Sequence, residues 1–241
     1  MTLREFAPES IQRDTPMSPE YRRVLIRLIA SHARGELEAA YTYASWIRRA
    51  PGPAEKMYVA GIAHEETEHW YKCIQLMADL VVTGRQIKEF EGSNYFYSIV
   101  HLLIPRYTWL DVLMLAFLID RGAFFMIEDY AHSSYAPWAR MAQDILSDEE
   151  GHANFGMNCL RRTIEERGKP VVQSAVKKWW RVALNVFGPP RTRYTDTYLR
   201  LGLRMRTNEE RRLAYRRDAE PQILALGLQV PQLYRETYPF L

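Results

Sequence analysis

Cysteine is scarce in this chain: Cys73 and Cys159 are the two in 241 residues. Two thiols cannot build a disulfide framework, and their use as small core residues suits a reducing compartment. Long apolar runs are missing too. The longest, "VLMLAFLI" at 112–119, ends at Asp120, far short of the 18 or more residues of a membrane span. The N-terminal "MTLREFAPES" has acids and a proline where a signal peptide would have an apolar core. Charge of one sign is also lacking: 32 basic against 29 acidic residues leave a formal +3, too little to argue for nucleic acid. No period-2 alternation is long enough to read as a strand. A cytoplasmic, all-α protein without membrane or nucleic-acid partners is expected.

Prolines and glycines punctuate long helical stretches. The spacing predicts helices over Pro19 to about Arg49, Pro53 to Val82, Thr108 to about 132, Pro137 to Gly168 and Val171 to Phe187. "APGPA" (50–54) and "HSSYAP" (132–137) are the turns, and 83–106 is a long connection with room for a short helix. Residues 1–18 form an N-terminal extension, 19–187 a four-helix bundle with a long crossover, and 188–241 a tail of shorter helices packed on it.

Helical neighbours lie three, four and seven residues away, so each acid can be given a face. Glu66 shares its face with Val59, Ile62, Ala63, His69, Trp70 and Cys73; Glu65 and Glu68 face a solvated edge. Glu149 sits among Ala142, Ile145, His152 and Ala153, and Glu36 among Ile29, Ala33, Ala40 and Tyr43. Glu38 falls instead beside Ser31, Arg34, Gly35 and Thr42. Asp120 follows an unbroken apolar run, where a carboxylate is costly unless paired, protonated or metal-bound.

Glu66/His69 and Glu149/His152 are both E-x-x-H pairs. On a helix, i and i+3 are about 60° apart, so one ion can meet both side chains. One such pair is a weak signal. Here each follows an inward acid by a matching interval: 30 residues from Glu36 to Glu66, 29 from Asp120 to Glu149. Both members of each acid pair lie some 15 residues from their turn, so antiparallel helices bring them level. Glu128 competes with Asp120 for the third-helix position but sits about two turns too close to its turn. Four carboxylates and two imidazoles make the ligand set of ferritin-like di-iron or di-manganese proteins, and such hard ligands suit Fe or Mn. His32, Tyr43 and Glu128 are candidates to support the ligands. His64 and His69 are five apart, so an H-E-x-x-H zinc site is excluded.

From about residue 20 to 230 the chain resembles the catalytic subunits of ring-1,2-phenylacetyl-CoA epoxidases. The resemblance is carried by "YRRVLIRLIASHARGELEAAYTY", "AHEETEHW", "YTWLDVLMLAFLIDRGA", "DEEGHANFG" and the tail "FGPPRTRYTDTYLRLGLRMRTNEERRLAYRRDAEPQILALGL". The tail discriminates most, since di-iron bundles in general do not carry it. That family has an aspartate at the third-helix ligand position, which favours Asp120. The resemblance implies a monooxygenase with two Fe ions held by Glu36, Glu66, His69, Asp120, Glu149 and His152, the catalytic work centring on Asp120, Glu66 and Glu149. It implies electrons from NAD(P)H through a separate reductase, with O2 and an aromatic acyl-CoA as substrates. A ferritin-like non-catalytic partner is implied as well, the other arrangement being a homodimer. Arg27, Arg204 and Asn208 are the residues proposed to meet the CoA phosphates. The competing readings are a paralogous oxygenase of a non-CoA substrate, a ferritin-like iron- or peroxide-handling protein, and a scaffolding subunit.

Overall fold

The computed structural model describes residues 10–92 and 107–232. The first nine residues, the connection beyond Gly92 and the end of the tail lie outside the described residues. Among those described, every regular element is a helix, and one isolated bridge joins Ile11 and Tyr135. The fold class is all-α and ferritin-like, as the sequence predicts. No described helix is long and apolar enough to cross a membrane. The described residues fall into two compact units, one drawn from Glu9–Trp109 and Tyr135–Met141, the other from Leu110–Ser134 and Ala142–Leu241.

In the N-terminal unit, α1 (Pro19–Trp46) and α2 (Pro53–Asp79) pack along their lengths as a helical hairpin. Ser18 caps α1 by accepting from the Tyr21 N–H at 3.1 Å, with Pro19 in the first turn, where a missing N–H costs nothing. Pro53 starts α2 in the same way. Its other end departs from the usual chemistry. The Val81 N–H donates to Ala78 O and the Val82 N–H to Met77 O, the paired bonds of a Schellman stop. The left-handed residue this stop requires is Val81, at φ 58°, where glycine is usual and a β-branched residue is strained. The short α3 (Gly84–Gly92) follows. The opening turn of the fourth long helix completes this unit: Trp138 packs edge-on to His32, and Met141 Sδ lies 3.9 Å from Cys73 Sγ.

The C-terminal unit holds the sequence's third helix, which is not uniform. Trp109–Met114 (α4) and Arg121–Tyr130 (α5) are α-helical, but Leu115–Asp120 between them is a π-helix. Its i→i+5 bonding inserts an extra residue, so α spacing does not carry across it. Asp120, its last residue, is buried all the same. The long α6 (Ala136–Arg167) and α7 (Lys169–Asn185) meet at Gly168, whose φ of 84° allows the break between them. The tail contributes α8 (Thr195–Arg200) and α9 (Asn208–Ala225), the latter started by a capping box of Thr207 and Glu210.

The tail is fastened to α5. Asp129, almost fully buried, accepts from the Met205 N–H at 2.9 Å and lies 3.6 Å from Arg204 Nε and 3.9 Å from Arg211 Nε. Burial pushes the Asp129 carboxyl up, while Arg211 pulls it back. Arg121 pairs with Asp218, and Glu128 with Arg206 at 2.6 Å. Tyr215 stacks on Trp180 with its hydroxyl in the interior, where burial raises its pKa.

Candidate metal centre

Each unit contains one of the expected acid-plus-E-x-x-H sets. In the N-terminal unit, Glu36 projects from α1 and Glu66 and His69 from α2. Their ligand atoms lie within 4.8 Å of one another, and all three side chains are buried. His69 Nδ1 stands 3.5 Å from Glu36 Oε2 and 3.8 Å from Glu66 Oε2. One turn before Glu36, His32 places Nε2 2.8 Å from Glu36 Oε1. Burial alone would raise the Glu36 carboxyl. The charge and hydrogen bond of His32, helped by contacts from His69 and Glu66, outweigh that and hold it well below the usual carboxylate range. Glu36 is thus poised as an anion.

In the C-terminal unit, Asp120 closes the π turn, and Glu149 and His152 come from α6. Asp120 and His152 offer ligand atoms within 4.8 Å of each other, and His152 Nδ1 lies 4.0 Å from Glu149 Oε2. All three are buried. In both sets the Nδ1 nitrogen faces the carboxylates. The 3.8 and 4.0 Å separations within the E-x-x-H pairs are too long for hydrogen bonds. They match ligands sharing one ion at about 2.1 Å, which stand roughly 3 to 4 Å apart. Each set is therefore chemically suited to a hard divalent metal.

Glu128, the rival to Asp120, is half-exposed and engaged by Arg206. Tyr43 is buried in α1, and Glu65 and Glu68 are at least partly exposed, as their spacing suggests. Glu38 is a correction: it is buried and paired with Arg34, although its helical neighbours looked polar. Arg204 lies in the turn before α9 and Asn208 opens that helix, and both are buried. Arg204 Nη2 donates to Asn208 Oδ1 at 2.7 Å, Arg211 donates to the same oxygen, and Asn208 Nδ2 donates to Pro189 O. Arg27 is exposed on α1. Sequence reasoning missed the Asp129–Arg204–Arg211 cluster. The doublet Glu128–Asp129, facing an arginine-rich tail, was the available signal.

Residues 1–238 match the family described as phenylacetic acid catabolic protein. The chain belongs to that family. It is also similar to one of the subunits of the 1,2-phenylacetyl-CoA epoxidase of Escherichia coli (strain K12), with 27% identity over 243 residues, covering 96% of this chain and 78% of the relative. Both E-x-x-H sets, the π turn and the arginine-rich tail lie within the stretch matched to the phenylacetic acid catabolic family.

Proposed function

We propose that this protein is the oxygen-activating subunit of a phenylacetate-catabolic di-iron oxygenase, and that each of the two buried sets would hold one of its irons. The observation that supports this most directly is the repeated set itself: an acid from one helix and an E-x-x-H pair from the next, each with Nδ1 turned to the carboxylates. Similarity to part of a bacterial epoxidase supports the oxygenase class. Manganese fits the same ligands.

Glu36, Glu66 and His69 would hold one iron and Asp120, Glu149 and His152 the other; so held, the pair would supply activation of O2 for transfer of one oxygen atom to an aromatic acyl-CoA thioester. The chain's own residues prepare that chemistry. His32 keeps Glu36 ionised and oriented through Oε1, leaving Oε2 toward His69. Trp138 fixes the His32 ring from its edge. The apolar run before Asp120 excludes water from its carboxylate, strengthening its interaction with any cation. Asp120 is a shorter acid than Glu36, so its reach is set by the backbone more than by side-chain rotamers. Arg27, exposed on α1, would be the member of the proposed CoA-binding trio to meet a phosphate. Electrons would come from NAD(P)H through a separate reductase, and a second, ferritin-like protein would complete the assembly in the cytoplasm.

The test is direct. The purified chain is loaded with Fe(II), its iron counted, and O2 uptake followed with a chemical reductant and phenylacetyl-CoA, with mass analysis of the thioester. Two irons per chain and a thioester gaining one oxygen atom are expected, with loading lowered by Glu66→Ala or Glu149→Ala. A chain that retains no iron, or loses none in either variant, refutes the centre. A loaded chain that oxidises other acyl acceptors but not this thioester refutes the substrate.

A further inference from the structure

Gly156 lies one helical turn beyond His152 on the same face of α6. Glycine is among the poorest helix formers, yet this one is buried in the interior of a 32-residue helix. The space around it explains its presence. A Cβ built on Gly156 would stand 2.5 Å from Phe117 N and 3.0 Å from both Ala116 C and Ala116 Cβ. The first two are main-chain atoms, so no change of rotamer relieves the clash. Ala116 and Phe117 belong to the π turn whose last residue is Asp120. Backbone therefore meets backbone at this crossing.

We propose that Gly156 is a positioning residue. By omitting a side chain it lets α6 approach the π turn, and this approach sets the separation between Asp120 and His152. The inference rests on the metal reading above and adds to it a residue that touches no ligand. A π turn is wider than an α turn and needs a neighbour to fill the space beside it. Without Gly156 against it, Asp120 would not be carried to within 4.8 Å of His152. Metal ligands tolerate little displacement, and losing a group that orients them typically lowers affinity about 10- to 100-fold.

Gly151 provides the control. It lies on the same helix, is exposed, and a Cβ there meets nothing within 4 Å. The experiment titrates metal-free wild type, Gly156→Ala and Gly151→Ala with Co(II), reading stoichiometry by calorimetry and site geometry by the visible Co(II) bands. Far-UV circular dichroism and thermal melts report the fold. Two ions per chain are expected for wild type and Gly151→Ala. In Gly156→Ala one ion should bind with unchanged affinity and the other at least about tenfold more weakly, with altered bands and a retained helical spectrum. Two ions bound as in wild type by Gly156→Ala would overturn the proposal. Wild type that takes up no Co(II) would sink the metal reading, and this inference with it. Should Gly156→Ala not fold, Ala116→Gly loosens the same crossing from the other side. It should weaken one ion selectively, and unchanged binding there overturns the proposal equally.

Discussion

Glu128 and Asp129 are adjacent acids on one helix, both paired with arginines of the tail, yet removing them should have very different consequences. Asp129 has no side-chain exposure, and its partners Arg204 and Arg211 are 7% and 3% exposed. Taking two guanidiniums and a carboxylate out of water costs nearly as much as their attraction returns, which is why burial still raises the Asp129 carboxyl. The intact cluster thus adds little net stability, but breaking it leaves two buried cations facing no anion. Asp129→Ala should cost about 3–5 kcal/mol. At about 2–4 °C per kcal/mol for a chain of this size, the melting temperature should fall by roughly 6–20 °C. Glu128 and Arg206 are each about one-third exposed, so solvent screens the pair. Glu128→Ala should cost less than about 1 kcal/mol. Urea denaturation of both variants at one pH, with calorimetric melts, makes the comparison. Equal losses, or an Asp129→Ala midpoint near wild type, would show that the tail is not held by this buried cluster.

Three further outcomes are expected. Val81→Gly should stabilise the protein by about 1 kcal/mol, since the left-handed conformation costs a Cβ-bearing residue roughly 1–2 kcal/mol and glycine's extra chain entropy returns only part of it; an unchanged urea midpoint would contradict the strain. Glu36 has a folded-state pKa below its unfolded one, so its stabilising contribution is present at neutral pH and lost as pH falls through the folded value. The urea midpoint of metal-free Glu36→Gln should accordingly decline less than that of wild type between neutral and strongly acid pH, and parallel declines would count against the assignment. Asp120→Asn should lower metal stoichiometry while Glu128→Gln leaves it unchanged; the reverse pattern would make Glu128 the third-helix ligand.

The six proposed ligands were legible because burial of a carboxylate inside an apolar stripe leaves a periodic trace. Glu36, Glu66 and Glu149 each have apolar neighbours at three and four residues, and all are buried. The same rule misplaced Glu38, whose burial depends on packing and on Arg34 rather than on apolar neighbours. The π turn left no trace at all. "LAFLID" contains no proline or glycine, and its residues suit α and π bonding alike. The helix stop at Val81 was hidden for a related reason, since a left-handed position is normally announced by glycine or asparagine. Arg204 and Asn208 were expected to meet phosphates but are buried, since a segment turns inward or outward only through what packs on it. Here that is Asp129, 75 residues before Arg204.

The two sets share their carboxylate and imidazole groups but not their means of support. Glu36 is oriented by His32, four residues away on the same helix, and α1 and α2 are joined by a short turn, so this half is specified largely by nearby sequence. Asp120 depends on contacts made from far along the chain. Gly156 meets the π turn that carries it, Arg121 beside it is tied to Asp218, and Asp129 on the same helix is gripped by Arg204 and Arg211. Distant contacts form late and are lost to any loosening of the tail. An all-α bundle could supply the ligand pattern without residues 188–241. What the tail adds is a set of ion pairs to Arg121 and Asp129, on the helix that directly follows the π turn and its proposed ligand Asp120.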